Sequence, residues 1–270
     1  SQSHWQIAQL VEDFTRVTDY HVIPDPNNTY IDHIDCWSKF LDVDKVLVRS
    51  VPSSHAQYDE IEATADYFST QTSSYGTPYE VYRVYTPQNQ PYTNSIILNN
   101  KVFVPVTGSS WDDDALESYQ EAMPGYEILG FTGSWESTDA LHCRAKGVAD
   151  RNMLYIRHIP LSGEFPSSVG DFEITVTVIP YSGSALNSDS PKIYYRVNGG
   201  VYQSITMAHD GGYEYSGYIP SLPLGGEVGY YLYAADQSGK TSTHPFIGAP
   251  DPHLFQVVNT QMEIEISHLD

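Results

Sequence analysis

Basic residues and cysteine are both scarce in this sequence of 270 residues. Thirteen Lys and Arg stand against 34 Asp and Glu, which gives a formal net charge of −21. Because phosphate contacts require Lys and Arg, this balance argues against nucleic acid as a partner. A strongly negative field favours cationic substrates instead, although the same charge also suits a protein that must stay soluble outside the cell.

Long apolar runs and the familiar ligand-binding motifs are missing as well. No stretch of about 18 apolar residues occurs, so the sequence predicts no transmembrane helix. Zinc-type ligand spacing, a phosphate-binding glycine loop and a serine-hydrolase elbow are also absent. Ser1 stands where an initiator methionine is usual, and no signal-peptide pattern follows it, so we expect cleavage from a longer precursor. The two cysteines, Cys36 and Cys143, occupy settings that favour free thiols over a disulfide.

The first half of the sequence contains two copies of one α/β unit. Each copy comprises a hairpin, a helix and a closing strand. The first copy contains strand 45–48, helix 58–68 and strand 79–84. The second contains hairpin 95–98/101–104, helix 113–122 and strand 126–129. A further hairpin, 141–148 with 153–157, reads as part of a third copy. Such a unit cannot bury its own apolar face, so the copies must pack around a common core, and these copies are too few to close a ring.

The character of the sequence changes near Gly163. Short alternating strands separated by turns follow, and Asn198-Gly199-Gly200 is a hairpin signal. About seven strands fit between Asp171 and Val258, which is typical of an immunoglobulin-like β-sandwich, although the Cys–Trp–Cys signature of antibody domains is absent. We therefore assign residues 1–162 to an α/β domain, 163–258 to an all-β sandwich and 259–270 to a charged tail.

His33 and Asp35 form the first candidate site. On an extended strand, residues two positions apart face the same way, so this imidazole and carboxylate would point into one space. A carboxylate can hold a neighbouring imidazole charged and oriented as a proton donor. Chance pairs of this kind are common on solvent faces, so the spacing alone does not establish a function.

Cys143 is the candidate nucleophile. It follows a loop rich in Gly, Ser and Thr and is flanked by His142 and Arg144, which we expect to point away from it on a strand. A thiol becomes reactive when cationic groups stabilise the thiolate. The alternative is a buried structural cysteine, and Cys36 suits that role better.

Two other polar segments invite a functional interpretation. Asn94 ends a loop at the entry to a strand, where it either contacts a substrate or shapes the turn. Asp112-Asp113-Asp114 precedes a predicted helix, so we attribute these carboxylates to the helix dipole rather than to calcium binding.

Several segments resemble the Porphyromonas-type peptidylarginine deiminases, which belong to the guanidino-group-modifying enzymes. The segments are NTYIDHIDCW (28–37), QPYTNS (90–95), VFVP (102–105), TDALHCR (138–144) and PFIGAPDP (245–252). The last of these is similar to the end of the family's immunoglobulin-like domain. The likeness extends over residues 20–256.

The resemblance implies a five-bladed α/β propeller of the pentein type, with the active site on its axis. It also implies conversion of peptidyl arginine to citrulline and ammonia without calcium or any cofactor. By position in the family's motifs, the nucleophile corresponds to Cys143, the histidine to His33, the guanidinium-binding aspartate to Asp35 and the active-site asparagine to Asn94. The arginine pocket corresponds to Tyr30, Ile31 and Thr138.

The family also has a second guanidinium-binding aspartate, and arginines that bind the substrate carboxylate, upstream of the histidine segment. We therefore expect a companion N-terminal chain that completes the propeller and the site, and a secreted or extracellular protein. Two alternatives stay open from the sequence: a deiminase of agmatine or another small guanidine, and a non-catalytic binding protein on the same fold.

Overall fold

The computed structural model divides the chain into two compact units, Ser1–Gly147 and Val148–Asp270. The residues it describes are 3–15, 20–27, 33–222 and 224–259. The predicted pocket residues Tyr30 and Ile31, and the predicted tail beyond Asn259, lie outside these ranges. Within the described residues, no helix combines the length and the apolar character that crossing a bilayer requires.

The first unit confirms the two predicted α/β copies. Its elements are α1 His4–Thr15, β1 Ser38–Phe40, β2 Lys45–Ser50, α2 Tyr58–Ser69, β3 Glu80–Tyr85, β4 Ile96–Leu98, β5 Lys101–Val106, α3 Asp112–Ala122 and β6 Glu127–Thr132. Each copy contributes a three-stranded sheet, in the orders β1-β2-β3 and β4-β5-β6. In both sheets the hairpin pair is antiparallel, and the strand after the helix returns parallel to the central strand.

The central strand β2 is buried on both faces. Val46 and Val48 pack with the apolar side of α2, whereas Leu47 packs into a cluster that includes residues of α3. Helix α3 contacts β3 of the first sheet as well as β6 of its own. A run of Val and Leu without polar alternation is typical of a strand covered on both sides. The second copy therefore packs its helix on the sheet of the first, as expected for units that cannot bury their apolar faces alone.

The second unit is built from strands. They are β7 Leu154–Arg157, β8 Glu164–Pro166, β9 Phe172–Pro180, β10 Lys192–Val197, β11 Gln203–Thr206, β12 Ala208–Gly211, β13 Glu214–Ile219, β14 Gly226–Ala235, β15 Thr241–His244 and β16 His253–Val258. One sheet has the order β12-β13-β9-β7 and the other the order β11-β10-β14-β16-β8, with β15 also paired to β14. Inward residues of both sheets share one apolar core, which makes the unit a β-sandwich. Its assignment as immunoglobulin-like stays a prediction.

Two sequence predictions differ from the structure. The predicted hairpin of 141–148 with 153–157 is wrong, because β7 pairs antiparallel with β9 of the sandwich. For the same reason the division between the units falls after Gly147, whereas the sequence placed the domain boundary after residue 162. The described residues contain two α/β copies and no closed ring, so the five-bladed propeller stays a prediction.

Candidate active site

His33 and Asp35 are held by a single 3-10 turn, Ile34–Cys36, rather than by the predicted strand. His33 has extended backbone angles, and its carbonyl accepts the N–H of Cys36 at 3.1 Å. Cys36 and Trp37 are buried in the apolar core beside α2 and anchor the turn. The hydroxyl of Thr93 donates to the carbonyl of Asp35 at 3.0 Å. The turn therefore presents both side chains from a fixed base.

Asn94 lies in a loop that buried tyrosines hold in place. The phenol of Tyr119 lies 2.9 Å from the carbonyl of Tyr92 and 2.8 Å from the hydroxyl of Ser95. The phenol of Tyr92 donates to Asp112 at 2.7 Å. The carboxylate of Asp112 also accepts backbone N–H groups ahead of α3, as a carboxylate at a helix N-terminus is expected to do. Asn94 itself is only 1% exposed, so its amide is fixed on a rigid base.

The side chain of Asn94 organises the Cys143 segment, which is a turn and not a strand. Its carbonyl oxygen accepts the backbone N–H groups of His142 at 2.8 Å and Cys143 at 3.3 Å. Its amide nitrogen donates to the sulfur of Cys143 at 3.1 Å. Arg144 pairs with Asp139, Nη2 to Oδ2, at 2.8 Å. The hydrogen bond from Asn94, rather than the neighbouring arginine, is therefore the direct polar support of the sulfur.

Cys143, His33 and Asp35 converge. The sulfur lies 3.4 Å from Asp35 Oδ2 and 3.9 Å from His33 Nδ1, and the three atoms all lie within 4.8 Å of one another. Asp35 Oδ2 also lies 2.6 Å from His142 Nδ1. The prediction that His142 points away from the site is wrong, because the turn at 141–144 does not alternate its side chains as a strand does.

The two thiols have different surroundings. Burial raises the pKa of Cys143, which the hydrogen bond from Asn94 lowers and the nearby Asp35 raises further. Burial and Asp35 raise the pKa of Cys36 to about 12. Cys143 is exposed and Cys36 is buried. Cys143 is therefore the accessible sulfur, and it needs a base or an added cation to become a thiolate.

An open cavity of about 510 Å³ adjoins the site. It is lined by His33, Ile34, Asp35, Ser38, Lys39, Phe40 and His142. Burial lowers the pKa of Lys39 to about 8, against the opposing effect of Asp35. The sequence interpretation missed Lys39, because it predicted no strand over residues 38–40 and Lys39 lies outside the functional motifs.

Thr138 is the remaining predicted site residue that the structure describes. It is buried, and its backbone carbonyl lies 3.8 Å from the sulfur of Cys143. The structure therefore brings His33, Asp35, Asn94, Thr138 and Cys143 together. Their individual roles stay predictions.

Residues 3–145 match the family model of the Porphyromonas-type peptidyl-arginine deiminases. Three solved structures are also similar over part of the chain. A Porphyromonas gingivalis protein assigned as an arginine deiminase is 22% identical, covering 53% of this chain and 46% of that one at a TM-score of 0.45. The Enterococcus faecalis agmatine deiminase is 20% identical, and the match covers 48% of this chain and 44% of that one at a TM-score of 0.41. The C. jejuni agmatine deiminase is 16% identical, and the match covers 55% of this chain and 50% of that one at a TM-score of 0.44.

The matched part of this chain spans about half the length of these three proteins. The family match ends at residue 145, within the first unit. Because that match covers more than half of the sequence, this chain belongs to the Porphyromonas-type peptidyl-arginine deiminase family.

Proposed function

We propose that this chain carries the catalytic cysteine of a calcium-independent deiminase that hydrolyses peptidyl arginine to citrulline and ammonia. The observation that carries the proposal is the convergence of Cys143, His33 and Asp35 beside an open cavity. Membership of the deiminase family supports the same chemistry.

Asp35 is the proposed guanidinium-binding group. A carboxylate can accept two parallel N–H bonds from a planar guanidinium. Oδ2 of Asp35 lies 3.4 Å from the sulfur, so a cation bound there lies next to the nucleophile. The net charge of −21 favours the approach of a cationic side chain.

The first half of the reaction forms a covalent intermediate. A bound guanidinium offsets the charge of Asp35, which together with burial raises the pKa of Cys143. The thiol proton then passes to His33, whose Nδ1 lies 3.9 Å from the sulfur. The thiolate attacks the central guanidinium carbon and forms a tetrahedral adduct. His33 returns the proton to the departing nitrogen, so that ammonia leaves as the C–N bond breaks.

The second half of the reaction releases the product. Neutral His33 takes a proton from water, and the resulting hydroxide attacks the same carbon. The carbon–sulfur bond breaks, the hydroxyl of the adduct loses its proton to solvent as the ureido carbonyl forms, and protonated His33 returns a proton to the sulfur of Cys143. Asn94 keeps the sulfur in position throughout, through the hydrogen bond to Sγ and the two bonds to the backbone of the turn.

Substrate comparison tests the proposal. We expect citrulline from an arginyl peptide, with a larger kcat/KM than for ureido formation from agmatine, and no loss of rate when calcium is chelated. The measurement is colorimetric ureido detection with both substrates, on protein purified from its source with any bound companion chain retained. Preference for agmatine would place the protein among small-guanidine deiminases, and no product from either would favour a binding protein.

We also propose that a companion chain supplies further α/β units and that the protein acts outside the cell. Apolar side chains on α1 and β6 support the first part, because Phe14 is 90% exposed and Phe131 is 51% exposed. Exposed aromatic surface of this kind is typical of a contact face. Native mass spectrometry of protein purified from its source tests it: a chain of 30.2 kDa that is active alone contradicts the companion.

A further inference from the structure

Three kinds of metal-binding atom meet at the site. They are the sulfur of Cys143, an imidazole nitrogen of His33 and a carboxylate oxygen of Asp35. Across the described residues, this is the only group of three or more Cys, His, Asp or Glu whose ligand atoms lie within 4.8 Å of one another. All three side chains border solvent or the open cavity, so an ion can reach them.

The separations fit a tetrahedral ion. Zinc binds sulfur at about 2.3 Å and nitrogen or oxygen at about 2.0–2.2 Å, which places two ligands of one ion about 3.3–3.6 Å apart. The measured separations are 3.4 Å from sulfur to Asp35 Oδ2 and 3.9 Å from sulfur to His33 Nδ1. The two sulfur separations are therefore within a few tenths of an ångström of this range. The ligand atoms of His33 and Asp35 lie within 4.8 Å of each other, so closing them around the ion requires a movement of at most about 1.5 Å.

We propose that Cys143, His33 and Asp35 form a reversible binding site for Zn²⁺ and that the bound ion inhibits the enzyme. The fourth position faces the cavity and is left to water. The inhibitory part rests on the proposed deiminase function, whereas the binding part rests on geometry alone.

The donor set selects the ion. Thiolate and imidazole favour zinc over magnesium and calcium, which prefer sites made of oxygen atoms. Residues that do not bind the ion themselves hold two of the ligands in place. Asn94 donates to the sulfur of Cys143 at 3.1 Å, and Nδ1 of His142 lies 2.6 Å from Asp35 Oδ2. Such partners orient the ligands of protein metal sites.

Inhibition follows from the atoms that the ion occupies. A zinc–sulfur bond forms, and the thiol proton goes to the buffer. The sulfur lone pair is then no longer available to attack a guanidinium carbon. The ion also takes the carboxylate oxygen that the substrate needs, so zinc and substrate compete for Asp35.

Calorimetry on the metal-stripped full chain tests the binding part. We expect one Zn²⁺ per chain and no heat from MgCl₂ or CaCl₂. Cys143→Ala should weaken zinc at least about 100-fold, since loss of an outer partner alone costs about 10–100-fold. His142→Ala should weaken it about 10-fold. His209→Gln, a control at an exposed histidine of the second unit, should not change it.

Two results overturn the site. One is zinc affinity unchanged in Cys143→Ala, and the other is zinc binding that is lost only when His244 or His253 of the second unit is changed to Gln. Because Cys143 is exposed, its replacement should leave the circular dichroism spectrum intact, so loss of binding does not reflect unfolding.

Activity measurements with and without zinc distinguish failure of the proposed inhibition from failure of the proposed deiminase function. We expect zinc to abolish citrulline formation, and a chelator to restore it. An active chain that keeps its rate with zinc at saturating concentration overturns the inhibition and leaves the deiminase function standing. If the protein, purified from its source with any bound companion chain retained, makes no product from any guanidine yet binds zinc through Cys143, the deiminase function is overturned and the metal site is left standing.

Discussion

Two groups of histidines, one in each unit of the chain, lie in opposite environments. His33 and His142 of the first unit are exposed and border the open cavity. In the second unit His158 is buried, and His244 and His253 are partly buried beside it. The three rings of that cluster lie 5.0–5.8 Å apart, centre to centre.

The buried cluster is bonded internally. Nδ1 of His158 donates to the carbonyl of Thr175 at 2.7 Å, so its Nε2 accepts the phenol proton of Tyr230 at 2.8 Å. The oxygen of Tyr230 accepts the backbone N–H of Leu161 at 2.8 Å. This chain of bonds joins a strand of each sheet to the segment that precedes β8. It requires neutral His158, and buried polar groups that are fully paired stabilise a unique packing.

The difference teaches how the same residue type can be exposed beside a candidate active site in one unit and can stabilise the packing of the other. In the first unit, buried Asn94 and the tyrosines beneath it hold the candidate catalytic side chains at an open surface. In the second, the histidines are partners of one another and of the backbone, with Tyr230 between the sheets. Substitutions at the site of the first unit should therefore affect turnover more than stability. Substitutions in the histidine cluster of the second unit should affect stability more than turnover.

We expect the largest difference between an effect on turnover and an effect on stability at the two cysteines. Cys143→Ala should lower kcat for citrulline formation at least about 1,000-fold, because the covalent step is lost, with little change in the free energy of unfolding. Steady-state kinetics and urea unfolding measure the two quantities.

Cys36→Ala is the matched control for that experiment. It should retain turnover and lose on the order of 1 kcal/mol of unfolding free energy from the cavity beside Trp37. The reverse pattern would reassign the nucleophile to Cys36.

Asn94→Ala tests a side chain of the site whose loss should lower both turnover and stability. Its amide makes three hydrogen bonds to the Cys143 turn and is buried. We expect kcat to fall about 100-fold and the unfolding free energy by about 1–2 kcal/mol. The backbone N–H of Cys143 loses its acceptor, whereas that of His142 keeps the main-chain carbonyl of Asn94. Kinetics and urea unfolding of the same preparation check both values. Full stability with reduced kcat would mean that the turn does not depend on Asn94.

The pH dependence of stability tests the histidine cluster. Burial lowers the pKa of His158, of His244 to about 4 and of His253 to about 2. Unfolded histidine has a pKa of about 6.5, so below that pH the unfolded state binds more protons than the folded one. Stability is therefore fully present above about pH 6.5 and falls as the pH drops, by on the order of 1 kcal/mol per pH unit per histidine.

Urea unfolding followed by near-ultraviolet circular dichroism at pH 7.5, 6 and 5 measures this loss. This range stays above the region in which most carboxylates titrate. Replacing His244 and His253 together with Gln should flatten the curve between pH 6.5 and 5. A wild-type chain equally stable at pH 7.5 and 5 would mean that the cluster does not hold its histidines neutral.

Much of the secondary structure could be predicted from the sequence. Helices α2 and α3 and strand β3 were each predicted within one residue of their bounds. These predictions depend on side-chain periodicity, which is a local property of the chain. The boundary between the units was misplaced because β7 is short, and its pairing with β9 is a long-range contact that periodicity does not report.

The sequence by itself determined which side chains form the candidate site, since the motifs around His33, Asn94 and Cys143 contain them. Only the tertiary structure decided how they meet. A 3-10 turn replaced the predicted strand at Asp35, and a turn held by Asn94 aimed His142 at the carboxylate instead of away from it. The physical reason is that side-chain direction in a turn depends on hydrogen bonds to residues distant in the chain. The Asn94 and Cys143 pair, 49 positions apart, is such a contact.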